Sequence, residues 1–482
     1  MAMTLEQYRE YDALDLSELV RRGDVSSAEL TDCALKAIER LNPVLNAVAM
    51  VRRDAATAAV READPDGPLY GVPFLLKDTS VSLSGVPTEY GSRYFKGYTR
   101  NYDSEIVRRY KKAGFAIIGK TNCSECGSSC SAENAANGRL HNPWDLKRIP
   151  GISSGGSAAA VAAGIVPAAH ATDAGGSIRG PASWCGLVGL KPTRGRISYA
   201  PDAGEHWSGL GTQHVVSRSV RDSAAILDYT AGFIAGDPYS IDPPTQPYLA
   251  AVTRKPGRLR IGFATDWLDT KAFAEETRHA IIVTARLLEQ LGHDIEEASP
   301  KWDAALMGEA MGSIAACALA ELVIQREKEI GVSPTVETME RANLALLEQG
   351  SQLSAVQLAA ALKKVNSVSR SFAAFFETRD IWLTPTMSDV APLVGYLDSN
   401  TANVELLVKR FSELYRFNSI YNASGLPAIS LPLHSSRDGL PIGMMFGAGF
   451  GKEGLLFQLA GQLEQALPWK DRHPFYGLWK DS

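Results

Sequence analysis

The stretch that decides the fold is PGISSGGSAAAVAAGIVPAAHATDAGGSIRG, Pro150 to Gly180. Almost every residue in it is small. SSGGS, Ser153 to Ser157, reads as a loop that opens an Ala-rich helix. A strand is predicted around Ile165 to Ala171, followed by a second glycine loop, DAGGSIRG, Asp173 to Gly180. Loop, helix, strand and loop in this order form one unit of an α/β protein.

Working outward, the same alternation continues. Upstream, GVPFLLKD (Gly71–Asp78) is a short apolar run that predicts a buried strand, DSEIVRRYKKA a helix, and AGFAIIGK a second strand. The first part of the chain is helical. Ser26-x-x-Glu29 is a capping-box pattern ahead of an apolar stripe, and Asn42–Pro43 is expected to end that helix. A second short helix is expected over Arg53 to Glu62. Downstream, RLRIGFAT, ETRHAIIVTARLLEQLG and HDIEEAS predict a strand–helix–strand unit. The region from Ala304 to Glu377 reads as helical; DIWLTPT, PAISLPL and PIGMMFG read as late strands, and LLFQLAGQLEQAL as a closing amphipathic helix. The fold class expected is α/β, with a largely buried sheet.

The chain has 482 residues, 45% hydrophobic and 21% charged, with a net charge of −5. That composition is ordinary for a globular protein large enough to carry a recessed site. No like-charge run marks a nucleic-acid or anionic-membrane footprint. The N-terminus MAMTLEQYREYDALDL lacks a basic and apolar leader, and GGSAAAVAAGIVPAAHA is weaker than a membrane span, so a cytoplasmic location is expected. One compact domain over 1–482 is expected, with weak patterning from Asp237 to Pro256.

Two motifs compete with the small-residue loops. GFAIIGKT, Gly114 to Thr121, fits the phosphate-loop pattern letter for letter. A charged helix precedes it instead of a strand, and its interior Phe-Ala-Ile-Ile favours a buried strand over an anion-binding nest. CSECGSSC, Cys123 to Cys130, offers three thiols, one ligand short of a structural zinc or cluster site. No metal and no cofactor is expected, and the alternative for this segment is a small-residue loop.

The glycine loops are suited to acyl transfer. Glycines beside a serine let backbone N–H groups approach a ligand, and Ala174, Gly175, Gly176 and Ser177 could aim N–H donors at an oxyanion. A serine nucleophile also needs a base. None of the eight histidines has a triad context, and Gly-x-Ser-x-Gly fails around Ser177 because position 179 is Arg. Lys77, ending an apolar strand, remains: burial disfavours an ammonium and can make lysine a base. A strand-end lysine paired with Asp78, and glycine loops that are simply turns, are the bland alternatives.

The segment PGISSGGSAAAVAAGIVPAAHATDAGGSIRGPASWCGLVGLKPTRGRIS resembles the signature block of the amidase signature family. GVPFLLKD, AGFAIIGKTN, HNPWD, VSRSVRD, ASGLPAISLP and GLPIGMM sit in the family's order, so the resemblance covers most of residues 10 to 475 and thins between about 235 and 400. It implies a large mixed twisted β-sheet covered by α-helices on both faces. Its parts would be a helical N-terminal segment (about 1–66), a signature core (about 67–235) and a variable helical substrate-side region (about 300–400). It implies a Ser–cis-Ser–Lys triad: Ser177 as nucleophile, Ser153 as the bridging serine after a cis peptide bond, Lys77 as base. Backbone N–H groups of Ala174, Gly175 and Gly176 would form the oxyanion hole, and Cys126, Ser128 and Ser129 would line the substrate pocket. The family commonly has Gly-Gly-Ser-Ser; Ile152 stands at the second glycine and is expected to shape the wall beside Ser153.

The segment EHWSGLGTQHVVSRSVRDSAAILDYTAGFIAGDPY resembles the nylon-oligomer branch, the 6-aminohexanoate cyclic-dimer hydrolases; Cys317 would fall near a pocket cysteine of that branch, or is simply a buried core cysteine in an Ala-rich helix. The function implied is hydrolysis of small amides, or related carbamates and esters, through an acyl-enzyme. The partner implied is a small-molecule amide, with no nucleic acid and no membrane, and the chain would be a monomer or homodimer. Alternatives are an amidotransferase A-type glutaminase subunit and a non-catalytic binding protein on the same fold.

Overall fold

The computed structural model describes residues 3–52, 56–266 and 273–474. Thirteen strands are present among them. In chain order they are β1 (Val48–Val51), β2 (Pro73–Lys77), β3 (Ala116–Thr121), β4 (Glu133–Asn134), β5 (Gly138–Arg139), β6 (Ala168–Asp173) and β7 (Val188–Lys191). There follow β8 (Thr212–Ser217), β9 (Arg260–Phe263), β10 (Asp294–Glu297), β11 (Ile381–Pro385), β12 (Ala428–Ser435) and β13 (Pro441–Ala448). Eleven make one mixed sheet in the order β1-β3-β2-β6-β8-β7-β12-β13-β11-β9-β10, and β4–β5 is a separate hairpin. The α/β expectation holds, with the sheet flanked by helices.

The small-residue stretch folds as its composition demands. Gly155–Ala162 is a helix buried along its whole length, and β6 follows it, three residues later than the sequence places the strand. Alanines and glycines let this helix lie close against its surroundings: a Cβ on Gly156 would meet the Asn122 carbonyl oxygen at 2.2 Å. β2, β3 and β6 are mutually parallel neighbours, so their C-terminal ends, Lys77, Thr121 and Asp173, gather at one edge of the sheet. Open α/β sheets bind ligands at such ends.

GFAIIGKT is a buried strand, not a phosphate loop. Ala116 to Ile118 are no more than 1% exposed, and the lysine and threonine complete β3. The RLRIGFAT unit gives β9, the Glu275–Gln290 helix and a parallel β10, as its pattern predicts. The first amphipathic helix runs Ser27–Leu45, past the Asn42–Pro43 stop. Pro43 lies in the last turn, and the helix closes three residues later on Asn46, whose backbone is left-handed (φ 53°) and whose N–H reaches the Asn42 carbonyl. The next helix is observed over Ala56–Glu62; positions 53–55 of that expectation lie outside the described residues.

The 304–377 region forms three helices, Ala304–Ile330, Arg341–Gln352 and Ala355–Thr378, the first packed along the other two. Ala304–Ile330 is, among the described residues, the one helix long and apolar enough to cross a membrane.

Candidate active site

Lys77 ends β2 and is fully buried. Its Nζ donates to Ser153 Oγ at 2.6 Å and to Thr172 Oγ1 at 2.8 Å. Among the described residues no carboxylate pairs with it. Burial lowers the ammonium to about 8, against the weaker pull of Cys123 and Asp173. The alternative pairing of Lys77 with Asp78 is not what forms: Asp78 lies instead 3.6 Å from Lys120. Thr172 was not singled out by the sequence; its place, one residue before the second glycine loop on a parallel neighbour of β2, puts its hydroxyl on Nζ.

Ser153 lies in the loop before the Gly155–Ala162 helix, and the Ile152–Ser153 peptide bond is cis. Ile152 is held at both polar backbone atoms by one phenol: its N–H donates to Tyr415 Oη and that hydroxyl donates to its carbonyl, both at 3.0 Å. The Ile152 side chain packs in an apolar cluster with Trp184, Leu140 and Tyr415, so it does not form the expected wall beside Ser153.

Ser177 follows β6 in the loop leading to the Arg179–Cys185 helix. Asp173 organises that loop from inside. Its carboxylate accepts from Gly176 N–H at 2.7 Å, Ile178 N–H at 3.1 Å and both prongs of the Arg179 guanidinium at 3.0 and 2.9 Å. Burial would raise this carboxyl, but Arg179 and the Asn422 amide hold it at about 2. Gly176 has φ 127°, and a Cβ there would stand 2.6 Å from Asn418 Cβ, so both backbone and space require glycine.

This arrangement changes the expected oxyanion set. The Gly176 N–H is occupied by Asp173, whereas the N–H groups of Ala174, Gly175 and Ser177 have no partner among the described residues. Ser177 Oγ likewise has no hydrogen-bond partner among them, so Ser153 and Ser177 share a cavity without being hydrogen-bonded to each other.

That cavity is narrow, with about 10 Å³ open to the centre of a water molecule. Ser153, Thr172, Ala174 and Ser177 line it from β6 and the two glycine loops; Thr79, Ser80, Cys126, Gly127, His206 and Trp207 supply the rest. None of these side chains bears a charge at neutral pH, because burial and the nearby Lys77 push the His206 imidazole down to about 4.

Cys126 lines this cavity; Ser128 and Ser129 do not. Ser128 Oγ donates to Asn343 and Ser129 Oγ to Glu340, both at 2.9 Å, tying the loop to the start of the Arg341–Gln352 helix. The three thiols of CSECGSSC go separate ways: Cys123 faces the Asp78 carbonyl, Cys126 the cavity, and Cys130 an apolar cluster with Ala132 and Leu140. Cys317 sits half-buried on the Ala304–Ile330 helix and does not line this cavity.

Comparison with known proteins gives consistent results. The amidase family profile matches residues 29–457. The 6-aminohexanoate-cyclic-dimer hydrolase of Paenarthrobacter ureafaciens is 36% identical over 477 residues, covering 96% of each chain. The solved structure of a 6-aminohexanoate cyclic dimer hydrolase with its substrate superposes with a TM-score of 0.91 at 35% identity, covering 98% of this chain and 100% of the other. A bacterial aryl acylamidase of the amidase signature enzymes superposes at 0.86 and 25% identity, covering 96% and 97%.

Proposed function

The chain belongs to the amidase family of amide-bond hydrolases, and from that premise we propose that it cleaves small uncharged amides through a Ser177–Ser153–Lys77 relay and an acyl-enzyme. The observation that carries this reading is the 2.6 Å contact between Ser153 and a buried lysine that has hydroxyl partners only. A lysine so placed releases its proton near neutral pH and then has a lone pair directed at Ser153.

In the proposed reaction, substrate filling the cavity brings Ser177 Oγ to Ser153 Oγ. Ser153 passes its proton to neutral Lys77 as it takes the proton of Ser177. Ser177 Oγ bonds to the amide carbon, and the carbonyl oxygen becomes an oxyanion facing the N–H groups of Ala174, Gly175 and Ser177. Each such donor is worth about 10²–10³ in kcat. The C–N bond then breaks as Lys77 returns the proton through Ser153 to the leaving nitrogen. Water repeats the sequence on the ester and frees the acid. Asp173, clamped by Arg179 and Asn422, keeps the loop in the shape that leaves those N–H groups free.

The uncharged lining favours amides with no ionic group beside the scissile bond, and so disfavours the glutaminase alternative. Oligoamides, as in the relative named for a cyclic dimer, and aryl amides both fit that description. Carbamates and esters would share the acyl step.

The test is a panel of short amides, anilides and carbamates with wild type and Ser177→Ala, together with labelling by a fluorophosphonate. Hydrolysis and labelling lost together in Ser177→Ala is the expected result. A variant that keeps near-normal kcat would overturn the assignment, and wild type that binds the panel without turnover would favour a non-catalytic protein.

A further inference from the structure

Among the cavity residues that take no part in the relay, His206 and Trp207 are the two with rings. They lie in the loop before β8, and the backbone around them is unusual. Trp207 and Ser208 have φ of 52° and 50°, in the left-handed region that non-glycine residues rarely occupy. Ser80 and Cys126, which line the same cavity, do so as well, with φ of 60° and 55°. Such conformations are disfavoured for residues with a Cβ and persist where the surroundings impose them.

The surroundings of this loop are rigid. The His206 ring stacks on Tyr199, with centroids 5.0 Å apart and planes 22° from parallel. On another side it lies so near Gly211 that a Cβ there would be 2.5 Å from the imidazole. Asn422 Nδ2 donates to the Leu210 carbonyl at 3.0 Å and to the Asp173 carbonyl and carboxylate at 2.9 Å. One amide therefore holds the His206 loop and the Ser177 loop in a fixed relation.

The ring itself is under-used. Nε2 reaches Ser80 Oγ at 3.4 Å, a long contact, and Nδ1 has no partner among the described residues. A neutral imidazole offers one donor and one acceptor. With no charged side chain lining the cavity, it suits a neutral polar group such as an amide, and the Trp207 indole suits the hydrocarbon or aryl portion adjoining it.

Building on the reading above, we propose that His206 is a specificity residue that hydrogen-bonds a second, neutral amide of the substrate, with Trp207 packing on the intervening hydrocarbon. The preferred substrates are then short diamides or oligoamides over simple alkyl amides. His206 is no general base, since Lys77 fills that role.

The experiment uses length-matched linear amides that carry either a second amide, on the acyl or the amine side, or plain hydrocarbon. His206→Leu is expected to lower the kcat/KM ratio of diamide to hydrocarbon about tenfold, the scale of one hydrogen bond. The loss should appear in KM. His206→Gln, which keeps a donor and an acceptor, should restore the ratio to within about threefold. An unchanged ratio in His206→Leu, or a loss carried by kcat with a shifted pH profile, overturns the proposal. Turnover of neither substrate by wild type would instead count against the amidase reading itself, so the two failures are distinguishable.

Discussion

Lys77 and Lys120 stand near the ends of adjacent parallel strands, one register position apart, and both are fully buried. Their company differs. Lys120 has the Asp78 carboxylate at 3.6 Å and the Thr88 hydroxyl; Lys77 has the hydroxyls of Ser153 and Thr172. Burial lowers both ammoniums, but for Lys120 the carboxylate opposes it, while burial lifts Asp78 to about 6. A buried cation beside an anion is a strut. The same cation beside hydroxyls is free to lose its proton, which is what a base requires.

The largest effect expected from this contrast is on turnover. Lys77→Met should lower kcat by at least about 10³-fold, the loss of proton transfer to an otherwise weak nucleophile. Its thermal midpoint should stay within a few degrees of wild type, because an apolar side chain of similar length replaces an amine with no ionic partner. Kinetics and calorimetry on one preparation check both; a folded Lys77→Met with wild-type kcat would end the distinction. Lys120→Met should do the reverse. It strands Asp78 in the interior and should cost about 3 kcal/mol of stability, read by urea denaturation, while the fraction still folded keeps most of its kcat.

The smallest effect is a pH profile. With Lys77 at about 8, about a tenth of it is neutral at pH 7. With the neutral form as the active one in the proposed relay, kcat/KM should rise about tenfold per pH unit below 8 and level off above it. A profile flat from pH 6 to 9 would mean that Lys77 is not the titrating base.

Ser128 shows why part of the site was not legible in the chain. Its segment is small and polar, which fits a pocket wall, and nothing local distinguishes a serine that faces substrate from one that anchors a helix. Its partner Asn343 lies 215 residues away. Gly176 is similar. Glycine beside serine is right for an oxyanion loop, yet the N–H is claimed by Asp173 because Arg179 and Asn422 fix that carboxylate. His206 sits in a segment that signals the branch, but no triad context gives the ring itself a role; it becomes part of the cavity only when the 206–211 loop is fastened to Asn422.

By itself the sequence determined what periodicity and residue size can determine. Apolar runs bounded by glycine became β2 and β3, alanines became a helix thin enough to bury, and the glycine loops fell where backbone had to pass close. It also placed Lys77 at the end of a buried strand, where desolvation lowers its ammonium to about 8. Tertiary structure decided which of the two buried lysines met a carboxylate, which N–H groups stayed free, and which polar side chains faced the cavity. Those outcomes depend on hydrogen bonds between residues far apart in the chain, and local patterning carries no information about such partners.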